Sequence, residues 1–266
     1  MQFSNIAARN ISTHKMSFKD KVVVVTGSSS GIGASTVIEF AKEAAHVVIV
    51  GRNVAKLESV SEKCQKYGQK PLVIKADVSK DAEGQKIINE TIEKFGRIDV
   101  LVNNAGSAEL AEITSEKFMK AFDNTVNLNL RGVVNITHCA VPHLIKSKGN
   151  IINISSVAAH GTISSPDMIS YCVSKAALNH FTRCAALKLA IYGVRVNAIC
   201  PGPVRTDLKD TVQFQQSWEQ FTEMTALKRV SEPEEIADLI LFLASDKAKG
   251  ITGSDFVSDN GLLVMK

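Results

Sequence analysis

From Lys21 onward the chain alternates short apolar runs with longer amphipathic stretches. The apolar runs are Val22–Thr26, Val47–Val50, Pro71–Ala76, Ile98–Asn103, Asn150–Ser155, Val194–Ile199 and Ser254–Val257. Most are rich in Val and Ile and do not alternate with polar residues. That pattern predicts parallel strands covered on both faces. Helical spacing fills the intervals, as over Val54–Tyr67 and Asp81–Phe95. Strand and helix repeating at this pitch predict βαβ units in one seven-stranded parallel sheet, doubly wound, with helices on both faces.

Composition narrows this without changing it. A 266-residue chain that is 45% hydrophobic and 22% charged can bury a large core. No break in composition follows Met16, so residues 17–266 are expected to form one domain. Residues 1–16 are expected to be a disordered extension, the alternative being a short mitochondrial presequence. The net charge of +4 is not gathered into any Lys/Arg run, which argues against nucleic acid as a partner. No apolar run reaches the length of a membrane span. Five cysteines without a CxxC pair, and histidines without ligand-spaced partners, argue against a disulfide framework or a metal site and for a reducing compartment, expected to be the cytoplasm.

The first strand runs directly into Thr26-Gly27-Ser28-Ser29-Ser30-Gly31-Ile32-Gly33, and a helical stretch follows from Ala34. Glycines let such a turn approach a pyrophosphate, and a helix N-terminus behind it offers amide donors and a positive dipole end. The arrangement marks a Rossmann-like dinucleotide site, although the spacing is GxxxGxG rather than GxGxxG. The second strand ends in Gly51-Arg52-Asn53, with no acidic residue between His46 and Asn53. A ribose 2′-hydroxyl usually meets a carboxylate there, whereas the planar fork of Arg52 suits a 2′-phosphate. NADP(H) is therefore the expected cofactor.

With these features the sequence resembles the short-chain dehydrogenase/reductase family, from Ser17 to Val264. The resemblance rests on the glycine loop, Asp77-Val78, Asn103-Asn104-Ala105-Gly106, Asn129-Leu130-Arg131-Gly132, Ser155-Ser156, Tyr171-Cys172-Val173-Ser174-Lys175 and Pro201-Gly202-Pro203-Val204-Arg205-Thr206, in that order. It implies strand order 3-2-1-4-5-6-7 and a homotetramer. It also implies cofactor contacts at Gly27, Ser29, Ser30, Gly31, Ile32, Gly33, Arg52, Asp77, Val78, Asn103, Ala105, Gly106, Pro201, Gly202, Val204 and Thr206, as well as at Tyr171 and Lys175. One departure stands near the end, where Asp259-Asn260-Gly261 replaces the family's Asp-Gly-Gly. Asn tolerates left-handed backbone, so the turn can survive.

Tyr171 and Lys175, four apart, share one face of a helix. A nearby ammonium stabilises a phenolate, so Lys175 is expected to lower the Tyr171 pKa and fit it for acid–base work. Ser156 is expected to bond the reacting carbonyl oxygen, with Ser155 as the fallback. The Ser156–Tyr171 gap is longer than usual in the family, which suggests an insertion at His160–Pro166. By resemblance Lys175 also holds the nicotinamide ribose, and Asn129 holds a relay water, with Asn127 as its rival. The stretch 205–228 carries Leu208, Val212, Phe214, Trp218, Phe221 and Met224 and is expected to be a substrate lid. Its apolar side chains suggest a small hydrophobic ketone, ketosteroid or 3-oxoacyl substrate; the alternative is that they only pack the lid down. The expected activity is NADPH-dependent carbonyl reduction. An NAD-linked alcohol dehydrogenase and a non-catalytic NADP(H) sensor are the other two readings.

Overall fold

Val22–Thr26 forms the first strand, β1, with all five residues buried. Side chains alternate across a strand, and here both sides meet apolar layers. Val23 and Val25 pack with Phe40, Ile49 and Ile240 on one face, while Val22 and Val24 pack with Ile74, Ile136 and Leu144 on the other. This double burial explains why the run is apolar without alternation. The computed structural model describes residues 18–161, 166–208, 212 and 216–265.

The other strands are β2 (His46–Gly51), β3 (Leu72–Lys75), β4 (Val100–Asn103), β5 (Asn150–Ile154), β6 (Arg195–Pro201) and β7 (Asp255–Ser258). They form one seven-stranded sheet of order β3-β2-β1-β4-β5-β6-β7, parallel at every pairing. The helices are α1 (Gly31–Lys42), α2 (Val54–Gln65), α3 (Asp81–Phe95), α4 (Phe118–Val126), α5 (Gly132–Ser147), α6 (Ile169–Leu189), α7 (Trp218–Glu223) and α8 (Pro233–Ala244). Fold class and strand order agree with the sequence reading. Among the described residues no helix is long and apolar enough to cross a membrane.

The boundaries shift by a few residues. Helix α1 begins at Gly31 rather than Ala34. The fourth strand begins at Val100, and the preceding Asp99 carboxylate caps the amino-terminal end of the neighbouring β1, accepting from Val22 N at 2.9 Å and from Arg97. A five-residue π-helical turn, Asn127–Arg131, joins α4 to α5, so Asn129 sits in a π-bulge, a feature frequent at functional sites. Asn260 takes φ +52°, the left-handed conformation expected for the Asp-Asn-Gly turn.

The expected N-terminal extension 1–16 lies outside the described residues. So do positions 162–165 of the expected insertion and 209–211 and 213–215 of the expected lid, Phe214 among them.

Candidate active site

The sheet order reverses at β1, whose neighbours β2 and β4 leave in opposite directions. A crevice must open there at the carboxyl ends of the strands. A cleft of about 480 Å³ occupies that place, lined by the glycine loop, the ends of β2 and β4, and the segment after β6.

The loop's shape follows from its residues. Gly27 has φ +64° and lies against the β4 loop, where a Cβ would stand 2.7 Å from Ala105 Cα. Ser28 is fully buried; its hydroxyl donates to Val25 O at 2.9 Å and accepts from Val50 N at 2.8 Å, tying the loop to the strands. Ser30 is the N-cap of α1, yet no side chain caps that end and its first turn holds no acidic residue. The amides and dipole of a twelve-residue helix therefore face the cleft, as an anion requires.

Gly33 does not line the cleft. A Cβ there would stand 2.5 Å from both Gly27 O and Asn104 Nδ2, so its absence lets helix and loop pack closely. Gly33→Ala is expected to cost about 2–3 kcal/mol by overpacking. A lower denaturant midpoint at unchanged m-value checks this.

At the adenine end, β2 stops at Gly51, and Asn53 caps α2 by accepting from Lys56 N at 3.1 Å. Arg52 is exposed and lines the cleft beside Lys56 and Asp77. Lys56 donates to Asp207 Oδ2 at 2.6 Å, linking α2 to the segment after β6 across the cleft. Burial alone would raise the Asp77 carboxyl, but hydrogen bonds from Ser79 and the charges of Arg52 and Lys80 outweigh it and hold it below its ordinary value.

Asn103 corrects a sequence expectation. Its side chain is buried and donates to Thr137 Oγ1 at 3.1 Å and Asn153 Oδ1 at 2.8 Å, inside the layer beneath the cleft. The next residue, Asn104, lines the cleft instead, donating to Thr26 O at 2.9 Å and Gly27 O at 3.0 Å. Lys56 was likewise passed over, although its place three residues after the Asn53 cap puts it beside Arg52.

At the other end, Ser156 and Tyr171 line the cleft together, and the Ser156 side chain eases ionisation of the Tyr171 phenol. Ser156 Oγ also accepts from Ala158 N at 3.1 Å, which fixes its direction. Ser155 and Ser156 both border the cleft, but the Ser155 hydroxyl donates to Lys175 O at 3.2 Å, and of the two only Ser156 also lines the cavity beyond Tyr171. Lys175 is buried; its Nζ donates to Ile154 O at 2.8 Å and lies 5.5 Å from the Tyr171 ring centroid.

The electrostatics differ from the sequence expectation. Burial pushes the Tyr171 phenol up to about 12, and the Ser156 side chain only partly offsets it. Burial brings the Lys175 ammonium down to about 8. Low polarity around both groups disfavours each one's charged form.

Asn129 is fully buried and does not line the cleft. It donates to Ser107 O at 2.8 Å and Ser174 Oγ at 3.1 Å and accepts from Ser107 N at 3.0 Å, clamping the β4 loop to α6. A Cβ on Gly106 would stand 3.2 Å from Asn129 Oδ1 and 3.4 Å from Lys175 Nζ, so the glycine brings the two side chains close. The rival Asn127 turns elsewhere, donating to Ser79 O at 3.2 Å.

Beyond the hydroxyls, a second cavity shares Ser156, Tyr171, Gly202, Val204, Thr206 and Leu208 with the cleft. Of the expected lid, Leu208, Trp218, Phe221 and Met224 line it. Val212 instead packs with Ala108 and Met168 against Tyr171.

The remaining expected cofactor contacts Gly27, Ser29, Ser30, Gly31, Ile32, Val78, Ala105, Gly106, Pro201, Gly202, Val204 and Thr206 all border the first cleft. Glycine turn, uncapped helix end and buried lysine together fit a dinucleotide.

Known proteins agree with this arrangement. A family model described as enoyl-(acyl carrier protein) reductase matches residues 27–263. A 3-oxoacyl-(acyl-carrier-protein) reductase of Thermotoga maritima is 35% identical, with 94% of this chain and 100% of that protein covered. Meso-2,3-butanediol dehydrogenase of Serratia marcescens is 36% identical, with 92% and 96% covered. The crystal structure of a short-chain dehydrogenase/reductase of unknown function from Caenorhabditis elegans, solved with cofactor, superposes with TM-score 0.87 at 36% identity, covering 93% of this chain and 96% of that one. The chain belongs to the short-chain dehydrogenase/reductase family and is an oxidoreductase that works with a nicotinamide cofactor.

Proposed function

We propose that the protein is an NADP(H)-dependent reductase that converts the carbonyl of a hydrophobic substrate to a secondary alcohol. The observation that carries this reading is the Ser156–Tyr171 hydroxyl pair, with Lys175 beside the tyrosine ring, at the junction of a dinucleotide-shaped cleft and an apolar cavity. The loop Gly27–Ile32 and the α1 N-terminus hold the pyrophosphate. Asp77 and Val78 flank the adenine, and Ala105, Gly106, Pro201, Gly202, Val204 and Thr206 hold the nicotinamide half. Bound there, the cofactor supplies a hydride to the carbonyl carbon in reduction and takes one up in oxidation.

The chain's own groups do the rest. Tyr171 gives its phenolic proton to the carbonyl oxygen, and Ser156 donates a hydrogen bond to that oxygen as charge develops. Lys175 holds the ribose hydroxyls and keeps positive charge near the phenol. Asn129 is a positioning residue that keeps the β4 loop against α6.

Arg52 and Lys56 bind the 2′-phosphate, supported by the absence of any carboxylate from His46 to Asn53. Wild-type protein with a panel of hydrophobic ketones, followed by coenzyme absorbance, is expected to use NADPH at least tenfold better than NADH in kcat/KM. Arg52→Ala is expected to weaken NADP⁺ binding roughly 10- to 100-fold, the worth of one charge-assisted hydrogen-bonded contact, and to leave NAD⁺ binding unchanged. A preference for NADH would overturn the cofactor assignment and leave the Tyr171 chemistry standing.

A further inference from the structure

The second cavity carries information about the substrate that the family does not. Its volume is about 130 Å³, near that of an apolar cavity known to take a benzene ring. One end holds the Ser156 and Tyr171 hydroxyls. The rest of its wall includes Trp218, Phe221, Met224, Leu262, Leu263 and Met168, and among the described lining residues none is charged.

The wall has a fixed frame. Ser217 caps α7 with a capping box through Gln220, which sets Trp218 and Phe221 on one side of the helix with ring centroids 5.9 Å apart. The Arg205 guanidinium lies 5.2 Å from the Trp218 ring and pairs with Glu232 at 3.1 Å. Leu262 and Leu263 enter from the Asp259-Asn260-Gly261 turn. Asn260 O accepts from Leu227 N at 3.1 Å, and Asn260 Nδ2 donates to Ser231 Oγ at 2.9 Å. Leu262 and Leu263 thus form part of the cavity wall.

From this we infer that the substrate is a ketone bearing one compact, uncharged, ring-sized hydrophobic group. A carboxylate or further hydroxyls next to the carbonyl would be buried against the apolar wall without partners. Among the described lining residues only the Thr206 side chain offers a further polar group once Ser156 and Tyr171 engage the carbonyl oxygen. Keto acids and polyhydroxy ketones are therefore poor substrates. The inference rests on the hydride-transfer reading for the carbonyl end alone; the character of the wall is independent of it.

Two measurements test it together. In NADPH-dependent turnover, acetophenone and cyclohexyl methyl ketone are expected to exceed dihydroxyacetone and pyruvate at least about 100-fold in kcat/KM. Leu263→Asn is expected to cut the apolar ketones about tenfold or more, with the Kd for NADPH unchanged. The second readout needs no turnover, because Trp218 is the chain's single tryptophan. Its emission is expected to change saturably with 1-phenylethanol and not with glycerol. Polar ketones turned over as well as apolar ones, with dependence on Tyr171, would overturn the inference and spare the reductase reading. A fluorescence response without turnover of any ketone would uphold the cavity's selectivity and sink the reductase reading. Neither turnover nor a fluorescence response to apolar ligands would overturn the inference.

Discussion

Tyr171→Phe is expected to lower kcat for carbonyl reduction about 10³-fold while leaving the Kd for NADPH nearly unchanged. The substitution removes one oxygen and keeps the ring, which packs with Ala108, Met168 and Val212. The loss therefore reports the hydroxyl and not a disturbed fold. With its phenol pushed up to about 12 by burial, the tyrosine carries its proton at every working pH. It is thus a competent donor in reduction without prior adjustment, and its own titration leaves the reductive rate flat through neutral pH. The reverse reaction needs the same oxygen to accept a proton, so alcohol oxidation should climb with pH across the range where reduction is flat. Full activity in the Phe variant would sink the assignment of Tyr171 as the proton donor. Normal turnover in Ser156→Ala would show that the neighbouring hydroxyl does not steady the carbonyl oxygen.

Lys175→Met is expected to reduce turnover about 10²-fold or more and yet to stabilise the folded protein at pH 7. The ammonium is buried with Ile154 O as its hydrogen-bond acceptor at 2.8 Å and the tyrosine ring beside it. Burial lowers its pKa to about 8 from the ordinary 10.5, while the nearby Cys200 acts weakly the other way. Between those values the unfolded chain binds more protons than the folded one, so stability rises with pH from about 8 to 10.5 and the cost of the buried charge is fully present below 8. Methionine removes that cost and fills a similar volume. A gain of about 2 kcal/mol, or roughly 4–8 °C in Tm, is expected after allowing for the lost hydrogen bond. The alkaline rise in stability should also be weaker in the variant than in the wild type. Thermal unfolding of both proteins at pH 7 and pH 10 measures this. An equal alkaline rise in the two would show that Lys175 keeps an ordinary pKa in the fold.

Much of this was legible along the chain. Runs such as Val22–Thr26 must be covered on both faces, and only a sheet sandwiched between helix layers does that. The parallel sheet and the place of the glycine loop therefore follow from local pattern, whereas the strand order came from the family resemblance. Tyr171 and Lys175 were legible for the same reason, since helical periodicity alone sets them on one face. The Asn260 turn was legible through a residue's tolerance of left-handed backbone.

Where a result depended on which way a side chain turns, the sequence was silent. Adjacent strand-end residues point to opposite sides, so Asn103 and Asn104 had to be told apart by packing; it sent Asn103 into the interior and Asn104 to the rim. Ser155 and Ser156 were separated likewise, one bonding the Lys175 carbonyl and the other lining the second cavity with the tyrosine. The burial that raises the tyrosine's pKa was not legible either, because a pairwise argument about Lys175 omits the desolvation that only the packed surroundings impose. The substrate cavity was beyond reach for the plainest reason. Its walls come from residues 156, 168, 218–224 and 262–263, which share no local pattern and meet only when the sheet brings their loops to one edge. Sequence alone determined the architecture and set Tyr171 and Lys175 on one helix face, since these follow from periodicity within single elements. Tertiary structure decided orientation, charge state and the shape of the substrate wall, since these arise from contacts between elements far apart in the chain.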